Sequence, residues 1–198
     1  MHILERAHLR LFFLLSSLVE YPALKLLGVE FGKDLSLAGI PIISKFPGSK
    51  ISIGNRVVLC SSSIATALGV NHPVVLRTLT KKAIIEIGDD VGISGGSICA
   101  GQHVAIGTRT MLGANVTIAD TDFHDFSQKD RRYAGTPKDD LFMPTIIEEN
   151  VFIGTGTIVL KGVRIGKNAV IGAGSIVSHN IPENVIAAGN PCKVIKSL

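Results

Sequence analysis

Residues 147–181 read IEENVFIGTGTIVLKGVRIGKNAVIGAGSIVSHNI, and their spacing decides the fold. Ile147, Ile153, Val159, Ile165, Ile171 and Val177 follow one another at intervals of six without a break. Ile and Val make up about a fifth of the chain, so six in succession by chance has odds on the order of one in ten thousand. A second register runs four residues behind each anchor: Val151, Thr157, Val163, Ala169, Ser175 and Ile181, mostly small or β-branched. Glycine often follows the anchor, as at Gly154, Gly166 and Gly172. An ordinary strand alternates with period two. A period of six instead makes one short strand plus a turn. Three such hexads close an 18-residue triangular coil, with the anchor pointing inward, the small residue in a corner and glycine relieving the bend.

The period extends upstream. Ile106, Leu112 and Ile118 form one run. Ile87, Ile93 and Cys99 form another, offset by one residue, and Ile53 and Leu59 begin a third. The repeat thus spans roughly 51–190, within an expected solenoid domain of residues 29–198. A solenoid expels extra residues as loops. Two are expected, near 69–82 and at 121–144, the latter reading TDFHDFSQKDRRYAGTPKDDLFMP with Gly135 and Pro137 inside it. Long loops in compact domains commonly bind or cover something.

Residues 1–28 form a separate helical segment in this reading. Ile3, Leu4, Ala7, Leu11, Leu14, Leu15 and Leu18 recur at helical spacing, giving an amphipathic helix ending near Pro22. The apolar run Leu11–Val19 is too short to span a bilayer, and no small-x-small cleavage site follows it. The stripe should pack on its own domain or a sister subunit; the sharper alternative is a helix lying on a membrane surface.

Composition narrows the function. Of 198 residues, 20 are Lys or Arg and 16 are Asp or Glu, a formal charge of +4. Aromatic content is 5%, with no Trp. Clustered cations with interleaved aromatics, the mark of a nucleic-acid binder, are missing. A hydrophobic share of 46% excludes disorder. Cys60, Cys99 and Cys192 form no CxxC pair and are odd in number, which argues against a disulfide framework and fits a reducing cytosol.

The hexapeptide repeat, the histidine in the long loop (Asp120-Thr-Asp122-Phe-His124), and the terminal run Asn184-Val-Ile-Ala-Ala-Gly-Asn-Pro-Cys-Lys193-Val-Ile together resemble the hexapeptide-repeat acyltransferases. The branch is that of the galactoside and maltose O-acetyltransferases and of surface-polysaccharide synthesis. The likeness covers 83–197 well, the first coil and loop loosely, and the N-terminal helix hardly at all. It implies an all-β, left-handed parallel β-helix, a cytoplasmic homotrimer with sites between neighbouring subunits, and acetyl-CoA as co-substrate.

By that resemblance His124 is the general base, with Asp120 or Asp122 orienting its ring. His72 and Ser94 are acceptor-site candidates. Ser94 stands where the galactoside branch has an Asn, a departure that speaks against a simple galactoside or maltose acceptor. Thr155, Ala173, Ser178, His179, Lys193 and Lys196 map to the coenzyme A groove, the lysines facing the phosphates. Arg131 and Arg132 are a second candidate phosphate clamp, with solvated loop charges as the plain alternative. Cys192 reads as packing.

There are four alternatives. N-acetylation of a nucleotide-linked amino sugar needs the base less. A scaffold solenoid explains the repeat but not the histidine loop and terminal run together. The zinc carbonic anhydrases of this fold require three histidines, two of them five apart; those here lie at 2, 8, 72, 103, 124 and 179, so no metal is expected. The chain has no room for the nucleotide-binding domain of a sugar nucleotidyltransferase, and no phosphate loop.

Overall fold

The computed structural model describes residues 3–133 and 141–198; nothing is described of the side chains of residues 3–10, 19 and 131. Gly135 and Pro137 lie outside it, as do the side chains of Ile3, Leu4, Ala7 and Arg131.

The chain winds as a left-handed parallel β-helix whose strands stack into three sheets, the faces of a triangular prism. The anchors become columns. Phe31, Ile53, Ile87, Ile106, Ile147 and Ile165 stack in register on the first face. Leu37, Leu59, Ile93, Leu112, Ile153 and Ile171 stack on the second. Ile43, Leu76, Ile98, Ile118, Val159 and Val177 stack on the third. All but Phe31 and Ile43 are buried. Each buried aliphatic contributes about 1.5–3 kcal/mol, so the prism is held by its axis.

Two details differ from the sequence reading. The repeat begins one coil earlier, at Phe31, Leu37 and Ile43. Ile98, not Cys99, is the third anchor of its coil: Ile98 is fully buried and pairs with Ile118, while Cys99 is half-buried. The corner Ser94–Gly96 is one residue short. Its two glycines make this possible, because a side chain at Gly95 would strike Val70 and the His72 carbonyl, 2.6 and 2.8 Å away.

The corners have their own code. Asp34, Arg56, Asp90, Arg109, Asn150, Asn168 and Asn184 all have positive φ and all turn the chain from the first face to the second. Asn and Asp tolerate this conformation best. Asn150 donates to Asn168, and Asn168 to Asn184, each at 2.8 Å.

The helix α1 (Ile3–Leu26) continues one turn past Pro22. A proline inside a helix costs about 3 kcal/mol; here Leu24, 1% exposed, anchors the last turn in the core and offsets it. The docking face is not the leucine stripe. Ser17 and Ser16 accept hydrogen bonds from the Leu37 and Gly39 N–H groups, and the Tyr21 hydroxyl donates to the Leu35 carbonyl. The polar face thus satisfies the open edge of the first coil, which would otherwise template pairing. Leu11, Leu14, Leu15 and Leu18 are 51–63% exposed, so the expected packing of this stripe on its own domain is corrected. At the other end the strand Lys193–Ser197 pairs antiparallel with Val185–Ala188 and covers the last edge.

Candidate active site

The long loop leaves the prism at the edge between the third and first faces, and backbone bonds close its mouth. Met143 N–H donates to Asp120 O and Gly162 N–H to Met143 O, both at 2.9 Å. The returning limb is wedged by Phe142, 7% exposed, whose ring fills the space that a side chain at Gly101 would need.

Asp120 does not orient the histidine. Its carboxylate is fully buried and accepts from the N–H groups of Gly101, Gln102 and His103 at 2.6–2.7 Å. Three donors fix it as the staple of the preceding coil and neutralise the cost of its burial. Asp122 is ion-paired with Lys161 at 2.5 Å. Its carbonyl accepts from the His124 N–H at 2.7 Å, across Phe123 at φ +63°. That is a γ-turn around a non-glycine residue, a strained geometry costing about 1–3 kcal/mol. His124 is exposed, and among the described residues its ring makes no hydrogen bond. Ser178 and His179 lie on the same edge, with Ser178 Oγ 3.0 Å from His179 Nδ1.

The other predicted residues occupy the edge between the second and third faces. His72 Nδ1 lies 2.7 Å from the Pro73 carbonyl. A carbonyl only accepts, so Nδ1 is the donor in this contact. Ser94 O accepts from Asn115 N–H at 2.9 Å, and Asn115 Oδ1 accepts from Asn71 N–H at 2.8 Å. Thr155 Oγ1 donates to Ala114 O at 2.6 Å, and Gly174 N–H to Thr155 O at 2.8 Å. His72, Ser94, Asn115, Thr155 and Ala173 therefore form a row down one edge. Lys193 and Lys196 are exposed on the terminal strand beside it, paired to Ala188 and Ile186. Arg132 sits over the Tyr133 ring at 5.9 Å, on the loop rather than beside the row.

One chain thus carries the candidate residues on two edges and does not bring them together. A full face separates the edges, about 15 Å or more at strand rise per residue. A surface cleft of about 410 Å³ belongs to neither: it lies on the first face around Glu148, Arg164, Asn180 and Glu183, with Arg164 and Glu148 ion-paired. A recess of about 170 Å³ between Thr80, Lys82, Gln102 and Phe142 lies beside the loop mouth.

Burial raises all three thiol pKa values. For Cys99 the value is about 11, burial acting first, the Asp120 charge adding to it and Arg77 opposing. The sequence reading missed Asn115 and Lys161. The 18-residue coil held the signal for Lys161, since 161 minus 18 falls on Met143, at the loop mouth.

The hexapeptide repeat of succinyl-transferase matches residues 144–179. The chain is 47% identical over 95 residues to a galactoside O-acetyltransferase of Lactococcus lactis subsp. lactis (strain IL1403), covering 48% of this chain and 44% of that protein. It is 40% identical over 98 residues to the galactoside O-acetyltransferase of Escherichia coli (strain K12), with 48% and 44% covered. The matches therefore span less than half the length of these curated relatives. In three dimensions it resembles AntD, an N-acyltransferase from Bacillus cereus solved with dTDP and 3-hydroxybutyryl-CoA, at a TM-score of 0.67 and 20% identity, covering 89% of this chain and 87% of that one.

Proposed function

We propose that this hexapeptide-repeat chain is an acetyl-CoA-dependent O-acetyltransferase acting on a sugar hydroxyl, with the site completed between subunits of a homotrimer. The observation that carries the reading is the split of the candidate residues. A base-bearing loop on one edge and a row of polar and small residues on another become one groove only if a second chain brings its row against the loop.

In that groove His124 takes the proton as the acceptor oxygen attacks the thioester carbonyl. The C–S bond then breaks, and the proton passes to the coenzyme A sulfur. Thr155, Ala173, Ser178 and His179 line the pantetheine path, and Lys193 and Lys196 face the phosphates. His72, through its Nε2, and Ser94 receive the acceptor hydroxyls. Asp120 is occupied by three backbone N–H groups and Asp122 is paired with Lys161, so among the described residues neither carboxylate is bonded to the His124 ring. The outward column Val58, Met111 and Phe152 on the second face, 38–55% exposed, is the kind of surface a sister subunit covers.

Transfer is direct, without an acyl-enzyme. The raised thiol pKa values leave on the order of one Cys99 thiolate per thousand molecules at pH 8. Brief iodoacetamide treatment of the folded protein at that pH is expected to leave the three thiols unmodified by mass and transfer intact. Rapid alkylation that abolishes transfer would point to a covalent cysteine route.

The leucines of α1 suggest where the enzyme works. Among the described residues no helix is long and apolar enough to cross a membrane. A helix with Leu11, Leu14, Leu15 and Leu18 outward, and with Arg6 and Arg10 in its sequence, suits an anionic bilayer surface, which supports a site of action at the inner face of a membrane. Co-sedimentation with vesicles of phosphatidylcholine and phosphatidylglycerol is expected to weaken at least about tenfold in the double variant Leu14→Ser, Leu18→Ser. Equal sedimentation of both proteins, or none of either, would remove the membrane from the reading.

A further inference from the structure

The turn that presents His124 does not hold itself. Phe123 at φ +63° and the bond from His124 N–H to Asp122 O close a γ-turn one residue before the imidazole. Such a turn persists only where its surroundings over-determine it. One support is local: Phe123 N–H donates to Thr121 Oγ1 at 3.0 Å. The other comes from the next coil. Lys161 Nζ lies 2.5 Å from Asp122 Oδ2 and donates to the Leu141 carbonyl at 3.3 Å.

One ammonium therefore ties the outgoing limb of the loop, at Asp122, to the returning limb, at Leu141. The Lys161 side chain is only 20% exposed, so the pair is partly screened from water, where a charge-assisted bond is stronger and better defined. The clamp is itself seated on the frame. Gly162 has φ +74° and lies so close to Met143 that a side chain there would meet its Cε at 2.9 Å, while its N–H bonds the Met143 carbonyl. The corner Lys161–Gly162 is thus locked beneath the loop mouth, and the direction of the ammonium follows from the coil.

We infer that Lys161 is a positioning residue for His124. It touches neither acetyl group nor acceptor. It fixes the carboxylate of the residue whose carbonyl holds the His124 N–H, and so sets the direction from which the imidazole reaches the groove. The inference rests on the role given above to His124; the clamp on the loop does not.

The test compares wild type, Lys161→Met and Lys161→Arg by thiol release from acetyl-CoA with a sugar acceptor, and separately by chymotryptic cleavage after Phe126 and Tyr133 mapped by mass. In Lys161→Met, kcat is expected to fall about 10²-fold, the cost of a small misplacement at a reacting centre, with KM for acetyl-CoA within about twofold of wild type. Lys161→Arg, which keeps the ion pair, recovers most of the loss. Loop cleavage accelerates several-fold in Lys161→Met alone. A kcat within about twofold of wild type, or a loss of kcat with an equal rise in KM and a general drop in Tm, would overturn the inference. So would equal cleavage rates. If wild type transfers acetyl to no acceptor, the functional reading fails while the cleavage comparison still decides the clamp.

Discussion

Replacing His124 with alanine is expected to lower kcat for acetyl transfer to a sugar hydroxyl by about 10²–10⁴-fold, the usual contribution of a positioned general base. A hydroxyl barely ionises at neutral pH, so its attack on a thioester needs the proton removed as the bond forms. The KM for acetyl-CoA should change little, because the pantetheine path is assigned to other residues. Folding should be intact to within about 0.5 kcal/mol: the side chain is exposed, and the structural hydrogen bond at this position belongs to the backbone N–H. The measurement is thiol release over a panel of sugars, amino sugars and nucleotide sugars, with the two proteins side by side. A loss below about tenfold on an amino-sugar acceptor would favour N-acetylation, since an amine attacks with a free electron pair and needs a base less. Full activity on a hydroxyl acceptor would remove His124 from its role. The absence of saturable acetyl-CoA binding in both proteins would favour the scaffold.

How much of this was legible in the sequence differs from one feature to another. The hexads gave the prism because a column of buried Ile, Leu and Val is a periodic constraint that a one-dimensional string preserves. The shortened corner at Ser94–Gly96 was not legible. Cys99 falls on the six-residue grid, and only the pairing of Ile98 with Ile118 shows that a corner can lose a residue when two glycines sit in it. Of the leucine stripe of α1, Leu11, Leu14, Leu15 and Leu18 face away from the chain's own prism. Periodicity finds an apolar face without saying what it meets, and the serines that cap Leu37 and Gly39 carry no periodic signal. In the candidate site, the position of His124 was visible as the place where the repeat opens. The partners of Asp120 were not, because a carboxylate stapling three backbone N–H groups of another coil looks in sequence like any aspartate beside a histidine.

Subunit complementation is the second large effect expected, and it tests the arrangement that no single chain displays. The loop of His124 and the row through Ser94, Thr155 and Ala173 occupy different edges of the prism, while reacting atoms must approach to about 3–3.5 Å. If the groove forms between chains, a heterologous contact closed into a ring gives each site one edge from each of two neighbours. Ala173→Trp should then block the groove without harming the fold, since Ala173 is exposed on its corner, and His124→Ala removes the base. Each variant alone should be near background. The whole population of trimers refolded from equal amounts should regain about one quarter of wild-type activity, because a site survives when its loop comes from the Ala173→Trp chain and its row from the His124→Ala chain, each with a chance of about one half. Tandem affinity tags on the two variants confirm that mixed oligomers exist. Mixed oligomers without activity would mean that each chain uses its own two edges, which requires the long loop to reach across a face. A light-scattering mass near that of one chain would remove the shared groove altogether.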